Sequence, residues 1–232
     1  MKKKRILGVI STILCFCTIT VFNSGAVFAD SQNVQPSGIS AIDRQNYQND
    51  LTHSKKLINT LSDYITVAKD GTLLLNAPDN ILNEFSTQDI NNAKFALSKT
   101  NEKLREGKLS LSKNGTLYDP NDRSIFMQGG NVDSVQTYWW GEVAYMSHSS
   151  ADAYIVTVGN TIAAEVAGTT SIGAVSSAIC LPFGAAFTIT GSIGIAAYSR
   201  YYNYLVYWNS ESSDGIIVSL PYWFVGYEIS AQ

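Results

Sequence analysis

The sequence predicts an α+β fold, and three observations support that prediction. Apolar residues recur at helical spacing in two charged segments of the first half. An Asp-Gly and an Asn-Gly pair follow these segments and separate short strand-like runs, as in tight hairpin turns. The chain closes on two further strand-like runs on either side of Leu220-Pro221. Segments with helical spacing and segments typical of strands occur in the same chain, which indicates a mixed fold.

Residues 1–29 have the composition of a Sec-type signal peptide. Basic residues precede an apolar run that ends in Val27-Phe28-Ala29, which offers the small or medium residues that signal peptidase reads. We expect cleavage before Asp30, with an uncleaved membrane anchor as the alternative. Cleavage removes four of the 16 basic residues and none of the 19 acidic ones, which leaves 12 against 19, a net charge of −7. This balance argues against a nucleic-acid partner.

The mature chain divides by composition near residue 124. Residues 30–123 are charged and mixed, whereas residues 124–232 contain one basic residue, Arg200, and seven acidic ones. Such a shift is typical of a domain boundary. We therefore expect a charged α+β region followed by an apolar C-terminal domain framed by aromatic residues. The mature chain keeps only Cys180, so it has no intramolecular disulfide.

In the charged region the sequence predicts a helix followed by a hairpin, and this order occurs twice. The first helix is predicted from the spacing of six apolar residues, Tyr47, Leu51, Leu57, Ile58, Leu61 and Ile65. Asp70-Gly71 then forms a hairpin turn. Ser86 and Asp89 make a capping-box start for a second helix, and a second turn at Gly115 follows. This order indicates a duplicated helix-hairpin unit or a favoured turn used twice.

The C-terminal domain contains 34 consecutive residues without charge, between Glu165 and Arg200. We expect a helix just before this run, with Ser149 and Asp152 as its N-terminal cap. We predict a Gly/Ala-rich helical hairpin or bundle, with breaks near residues 168–170 and 181–182, and a short β-hairpin at the end. Small residues that let helices approach closely are the expected packing positions: Gly184, Ala186, Thr190, Gly191 and Gly194.

The uncharged run is long enough to enter a bilayer, whose core needs about 20 apolar residues in a helix. Aromatic residues gather at its margins, as they do at membrane interfaces. We expect seven residues to contact a membrane or a partner: Trp139, Trp140, Gly141, Tyr145, Tyr201, Tyr202 and Trp208. The alternative is that the run forms the core of a soluble bundle and that these aromatics build a core or a partner surface.

The order of these features resembles a group of uncharacterised secreted proteins of Gram-positive bacteria, some of which are described as bacteriocin-like. The resemblance rests on the leader, the Lys-Asp-Gly-Thr-Leu hairpin, Trp139-Trp140-Gly141 with Tyr145, the Gly/Ala-rich segment and the short β tail. It implies secretion and an antimicrobial role against competitors. It transfers no catalytic residue.

No catalytic signature is found in the sequence. Two histidines, His53 and His148, are available as general bases, and His148 lies between two serines. Nucleophile-elbow, zinc-ligand and phosphate-loop motifs are missing, so we expect neither an enzyme nor a metal or other cofactor.

The sequence therefore predicts a secreted, non-enzymatic, bacteriocin-like protein that acts on membranes through its C-terminal domain. Its expected partner is a bacterial membrane or a cell-surface receptor, with oligomers forming on insertion. The alternative is a soluble cell-envelope or protein-binding module without membrane activity. Both place the protein outside the cell, in association with the envelope or a target membrane.

Overall fold

The computed structural model describes residues 39–112, 115–120, 133–166, 179–180, 186–187 and 195–232, which all lie in one compact unit, Pro36–Gln232. The predicted leader lies outside the described residues, and so do Gly184, Thr190, Gly191 and Gly194. Helices and antiparallel strands are both present, which confirms the α+β class.

The elements follow one another along the chain as five helices and ten strands among the described residues. Their bounds are α1 Ala41–Ser62, β1 Ile65–Val67, β2 Leu73–Leu75, α2 Asp79–Leu82, α3 Thr87–Arg105, β3 Ser110–Leu111, β4 Leu117–Tyr118, β5 Ser134–Tyr138, β6 Gly141–Met146, α4 His148–Val166, β7 Ile179–Cys180, β8 Ala186–Phe187, α5 Ile195–Glu211, β9 Ile216–Pro221 and β10 Glu228–Ala231.

Helix α1 forms because Ser40 and the spacing of its apolar residues both favour it. The Ser40 hydroxyl accepts a hydrogen bond from the Asp43 backbone N–H at 3.0 Å and so satisfies one donor of the first turn. The buried residues form one stripe along the helix: Tyr47, Leu51, Ser54, Leu57 and Leu61. The helix ends at Ser62, before the last residue of the predicted stripe, and Ile65 begins β1.

The two short hairpins, β1–β2 and β3–β4, share one turn geometry. In the first, the Ala68 N–H donates to the Thr72 carbonyl at 2.8 Å, and Gly71 has a φ of +82°. In the second, the equivalent hydrogen bond measures 2.9 Å, and Gly115 has a φ of +81°. This left-handed conformation favours glycine, which explains why both turns carry it.

Helix α3 begins at the capping box that the sequence predicts. The Ser86 hydroxyl accepts from the Asp89 N–H at 3.1 Å, and the Asp89 carboxylate accepts from the Ser86 N–H at 3.0 Å. The His53 imidazole of α1 lies 2.9 Å from the same carboxylate. Partial burial opposes ionisation of Asp89, but the hydrogen bonds from Ser86 and His53 prevail and lower its pKa.

The largest sheet has four antiparallel strands in the order β10-β9-β6-β5. Strands β5 and β6 are absent from the sequence prediction. The reason is that β6 is buried along almost its whole length, so its residues do not alternate between apolar and polar. Glu142 also stands within it, and a charged residue argues against a central strand.

The terminal hairpin differs from the prediction in its bounds. Strand β9 continues through Pro221, and β10 starts only at Glu228. The connecting segment, predicted as strand, is a turn whose aromatic side chains are buried: Tyr222, Phe224 and Tyr227. Core packing of these rings therefore decides where the strands end.

Helices α4 and α5 pack against each other. The Tyr154 and Tyr201 hydroxyls are 2.9 Å apart, and the Asn209 amide donates to the Asp152 carboxylate at 2.7 Å.

Helix α4 starts at His148, so Ser149 lies inside its first turn and the predicted Ser149 cap is wrong. Between the two helices, Ala186 lies in strand β8, not in the predicted helix.

One core, here called the tyrosine core, lies between α1, α4, α5 and the large sheet. Its aromatic rings lie close together: Tyr47 and Tyr204 stack with their centroids 4.1 Å apart, and Tyr201 and Tyr227 meet edge to face with their centroids 4.9 Å apart. Such pairs contribute about 0.5–1.5 kcal/mol each beyond the burial of their area. Burial raises the pKa of Tyr47 to about 12, although its oxygen accepts a hydrogen bond from the Ile229 N–H.

A second core, the leucine core, joins the helices of the first half to the turn between β5 and β6. Its buried members are Leu57, Leu61, Leu73, Phe85, Ala93, Leu97 and Trp139. Beside it, Lys103 of α3 forms an ion pair with Glu142 of β6, and its ammonium lies 5.2 Å from the centre of the Tyr222 ring. Residues from both sides of the predicted boundary near residue 124 thus build both cores.

Candidate functional site

The turn between β5 and β6 consists of Trp139 and Trp140, two of the predicted contact residues. Tyr138 and Gly141 are paired across the strands, and the Tyr222 N–H donates to the Trp140 carbonyl at 2.9 Å. Gly141 is required because a Cβ there would lie 2.2 Å from the Leu220 carbonyl oxygen. Close approach of β6 to β9 therefore fixes the position of the turn that carries both tryptophans.

Trp139 is buried and is held by α1 and α3. Its indole N–H donates to the Ser62 hydroxyl at 2.9 Å, and that hydroxyl donates to the Ile58 carbonyl at 2.6 Å. The Thr100 hydroxyl of α3 donates to the Trp139 carbonyl at 3.1 Å. These contacts hold the Trp139 ring in a fixed position.

Beside Trp139 lies a cavity of about 750 Å³, here called the Trp139 cavity. Strand β5, an edge strand of the large sheet, forms one side, and the two short hairpins form the other. Most of the lining is apolar or carries neutral polar groups, and Asp119 is the only charged residue among the described lining residues. These are Ser62, Ile65, Val67, Leu73, Gly115, Thr116, Leu117, Tyr118, Asp119, Val135, Gln136, Thr137, Tyr138 and Trp139.

The rim of the Trp139 cavity exposes three large side chains, Val67, Tyr118 and Tyr138. The Tyr138 hydroxyl donates to the Gln136 side-chain oxygen at 2.7 Å. Partial burial raises the pKa of Tyr138, so the phenol is neutral at physiological pH. An apolar floor with neutral polar groups at its edge suits an uncharged ligand.

A second, smaller cavity of about 380 Å³ lies beside Trp140 and is here called the Trp140 pocket. Helix α1 provides one wall, and β9 with the turn after it provides the other. The described lining residues are Leu51, Lys55, Ile58, Asn59, Trp140, Ser219, Pro221, Gly226 and Glu228. Lys55 and Glu228 form an ion pair at 2.7 Å.

The other predicted contact residues lie apart from this turn. Tyr145 is half-buried on β6, Tyr202 packs over Gly159 of α4, and Trp208 is half-buried against Tyr207. Tyr201 is fully buried in the tyrosine core, in contrast to the predicted contact role. The reason is that Tyr154 of α4 and the Phe224 and Tyr227 rings of the terminal turn cover it, which the local sequence does not reveal.

The serines around His148 form a helix cap. The Asp133 carboxylate accepts from the Ser147 N–H at 2.8 Å, the Ser147 hydroxyl at 3.2 Å and the Ser150 hydroxyl at 2.7 Å. His148 Nδ1 lies 3.1 Å from the Ser212 carbonyl, and Nε2 lies 3.8 Å from the Asp152 carboxylate. Since a catalytic pair needs a serine hydroxyl on the imidazole, this geometry gives no support to a serine nucleophile.

In the described part of the chain, no three or more His, Cys, Asp or Glu side chains gather in a way that could bind a metal ion. Among the helices that the structure describes, none combines the length and apolar character needed to cross a bilayer.

The sequence indicated the two tryptophans as contact residues but not the residues that line the cavities beside them. Ser62, Asn59 and Glu228 are ordinary polar residues, and they come from segments far from the tryptophans in sequence. One local signal was available, since Val135 and Thr137 alternate with Gln136 and Tyr138 before the turn, as in a strand.

Comparisons with protein-family models, with curated proteins and with solved structures found no match.

Proposed function

We propose that the chain is a secreted, non-enzymatic binding protein of the cell envelope or its surroundings, and that its ligand occupies the Trp139 cavity. The observation that carries this proposal is the cavity itself. Its volume of about 750 Å³ falls within the range of small-molecule sites, which is roughly 300–1,000 Å³. The ligand is an uncharged, largely apolar molecule or an apolar portion of a larger one.

The rigidity of the cavity wall supports a binding role. Trp139 is fixed by hydrogen bonds from its indole and to its carbonyl, so its ring loses little freedom when a ligand arrives. A preformed site spends less free energy on ordering and so binds more tightly. Secretion is supported by the leader-like residues 1–29, and a cell-surface receptor is the proposed protein partner.

A neutral apolar dye tests this function. Nile red added to the purified chain is expected to bind with a rise in fluorescence, and Val67→Phe, which narrows the mouth of the cavity, is expected to raise the Kd at least fivefold. Val156→Phe is the matched control, because Val156 on α4 is 59% exposed and Val67 is 51% exposed, yet only Val67 lines the cavity. Equal Kd values for the two variants, or no binding by the wild type, would reject the proposal.

A second candidate function is bacteriocin-like action on membranes, with oligomers forming on insertion. The observation that favours it is the exposed face of α4, which is uncharged between Asp152 and Glu165. Its exposed residues are Ala153, Val156, Thr157, Asn160 and Ala163. A surface of this kind can lie against lipid without burying a charge.

Dye release from phosphatidylcholine liposomes tests the membrane function. The wild-type chain is expected to cause leakage, and Val156→Lys is expected to reduce it at least fivefold because it places an ammonium on the lipid-facing surface. Val67→Lys, at the rim of the Trp139 cavity, is expected to leave leakage unchanged. Absence of leakage by the wild-type chain removes this candidate and leaves the binding function standing.

We infer that α1–β1–β2 and α3–β3–β4 are two copies of one helix-hairpin unit, supported by the matching turn geometry at Gly71 and Gly115. We further infer that α4 and α5 are the arms of a helical hairpin that precedes the terminal β-hairpin, supported by the Tyr154–Tyr201 contact.

A further inference from the structure

The Trp140 pocket is separate from the Trp139 cavity and has a different chemistry. The Trp139 cavity is lined mainly by apolar and neutral polar groups, whereas charged and amide groups line the smaller pocket: Lys55, Asn59 and Glu228. A volume of about 380 Å³ is sufficient for one small polar ring or part of a polymer.

An aromatic platform forms one wall of this pocket. Trp140 is half-buried, and the Tyr138 ring stacks on it with the planes 10° apart and the centroids 5.3 Å apart. The π face of an aromatic ring is negative, so it attracts the weakly positive C–H groups of a saturated ring. Backing by Tyr138 and the hydrogen bond to the Trp140 carbonyl hold the indole in place.

The polar side chains of the pocket match hydroxyl groups. A sugar hydroxyl both donates and accepts hydrogen bonds. The Lys55 ammonium donates, the Glu228 carboxylate accepts, and the Asn59 amide does both. Lys55 and Glu228 lie 2.7 Å apart, close enough to bind neighbouring hydroxyls of one ring.

The charges of the pocket favour a neutral ligand. Lys55 and Glu228 neutralise each other, so the pocket has no net charge that would attract an anion or a cation. A neutral hydroxylated ring can replace water on both groups and leave the ion pair intact.

From this juxtaposition we propose that the Trp140 pocket binds one neutral sugar ring of an extracellular glycan. The apolar face of the ring lies on Trp140, and its hydroxyl groups bind Lys55, Asn59 and Glu228. The site goes beyond the proposed function, because it is independent of the ligand in the Trp139 cavity.

Calorimetric titration with three trisaccharides tests the proposal. The probes are N,N′,N″-triacetylchitotriose and cellotriose, which are neutral, and trigalacturonate, which is anionic. At least one neutral trimer is expected to bind with a millimolar or lower Kd, and trigalacturonate is expected to bind at least tenfold more weakly. No heat with either neutral trimer, or a preference for the anionic one, would overturn the assignment.

Variants of exposed residues then locate the site without disturbing the fold. Asn59→Ala is expected to raise the Kd of the neutral trimer at least fivefold, and Asn91→Ala, an exposed asparagine on α3, serves as the matched control. Glu228→Gln, which keeps the shape of the side chain, is also expected to weaken binding. Indistinguishable Kd values for the two asparagine variants would count against the pocket.

The two sites can fail independently. Val67→Phe is expected to impair Nile red binding and to leave the sugar Kd unchanged. Asn59→Ala is expected to do the reverse. Loss of both activities in either variant, with an unchanged thermal unfolding midpoint, would contradict the separation of the two cavities.

Discussion

Lys103→Met is expected to lower the free energy of unfolding by about 3–5 kcal/mol, the usual cost of removing one partner of a buried ion pair. Glu142 is 4% exposed and Lys103 is 22% exposed, so water cannot replace the lost ammonium around the carboxylate. Urea denaturation followed by circular dichroism measures the change. Most of the loss comes from the buried charge that remains, so adding Glu142→Gln is expected to restore part of the stability.

A surface lysine of the same helix provides the control for Lys103. Lys99 pairs with Glu102 at 3.0 Å, and both side chains are substantially exposed. Because water solvates both charges of this pair, Lys99→Met is expected to change the free energy of unfolding much less than Lys103→Met. If Lys103→Met were no more destabilising than this control, the ion pair would not join α3 to the large sheet as described.

Gly226→Ala is expected to destabilise the protein by about 2–5 kcal/mol. Gly226 has a φ of +75°, where a side chain costs about 1–2 kcal/mol. Its Cβ would also lie 2.3 Å from the Ser54 Cβ and 2.6 Å from the Asp50 carbonyl oxygen, and overpacking of this kind adds about 1–3 kcal/mol. Thermal and urea unfolding measure the loss.

Gly71→Ala separates the two contributions at Gly226. Gly71 has a φ of +82°, but no atom lies within 4 Å of the position of its Cβ. This variant is expected to lose the backbone contribution alone, about 1–2 kcal/mol. Equal losses for the two variants would show that α1 and the terminal turn are less closely packed than the structure indicates.

Local signals in the sequence were sufficient for part of the fold. The Ser86–Asp89 capping box and the glycines of the short hairpins depend only on residues close to them in sequence, so they were predicted correctly. Strand β6 was missed because it contains Glu142, whose partner Lys103 is 39 residues away. The cap of α4 was misplaced for a similar reason, since Asp133 supplies the carboxylate from outside the helix.

At the candidate site, too, local sequence did not determine which aromatic residues line a cavity and which are buried in the core. The pair Trp139-Trp140 was predicted as a contact site because aromatic residues gather at the margins of the uncharged run, and the structure places each tryptophan at the wall of a cavity. Tyr201 has a similar local context but is covered by Tyr227 and the rest of the tyrosine core. Whether an aromatic ring faces a cavity or the interior depends on contacts that are distant in sequence, which periodicity cannot reveal.

The indole N–H resonances of the four tryptophans test most directly whether Trp139 and Trp140 lie at two separate ligand sites. In a proton–nitrogen NMR spectrum assigned by single Trp→Phe variants, Nile red is expected to shift the Trp139 resonance and a neutral trisaccharide that of Trp140, while Trp208 stays in place. Shifts confined to Trp208 or Trp223, or no shift with either ligand, would contradict the account.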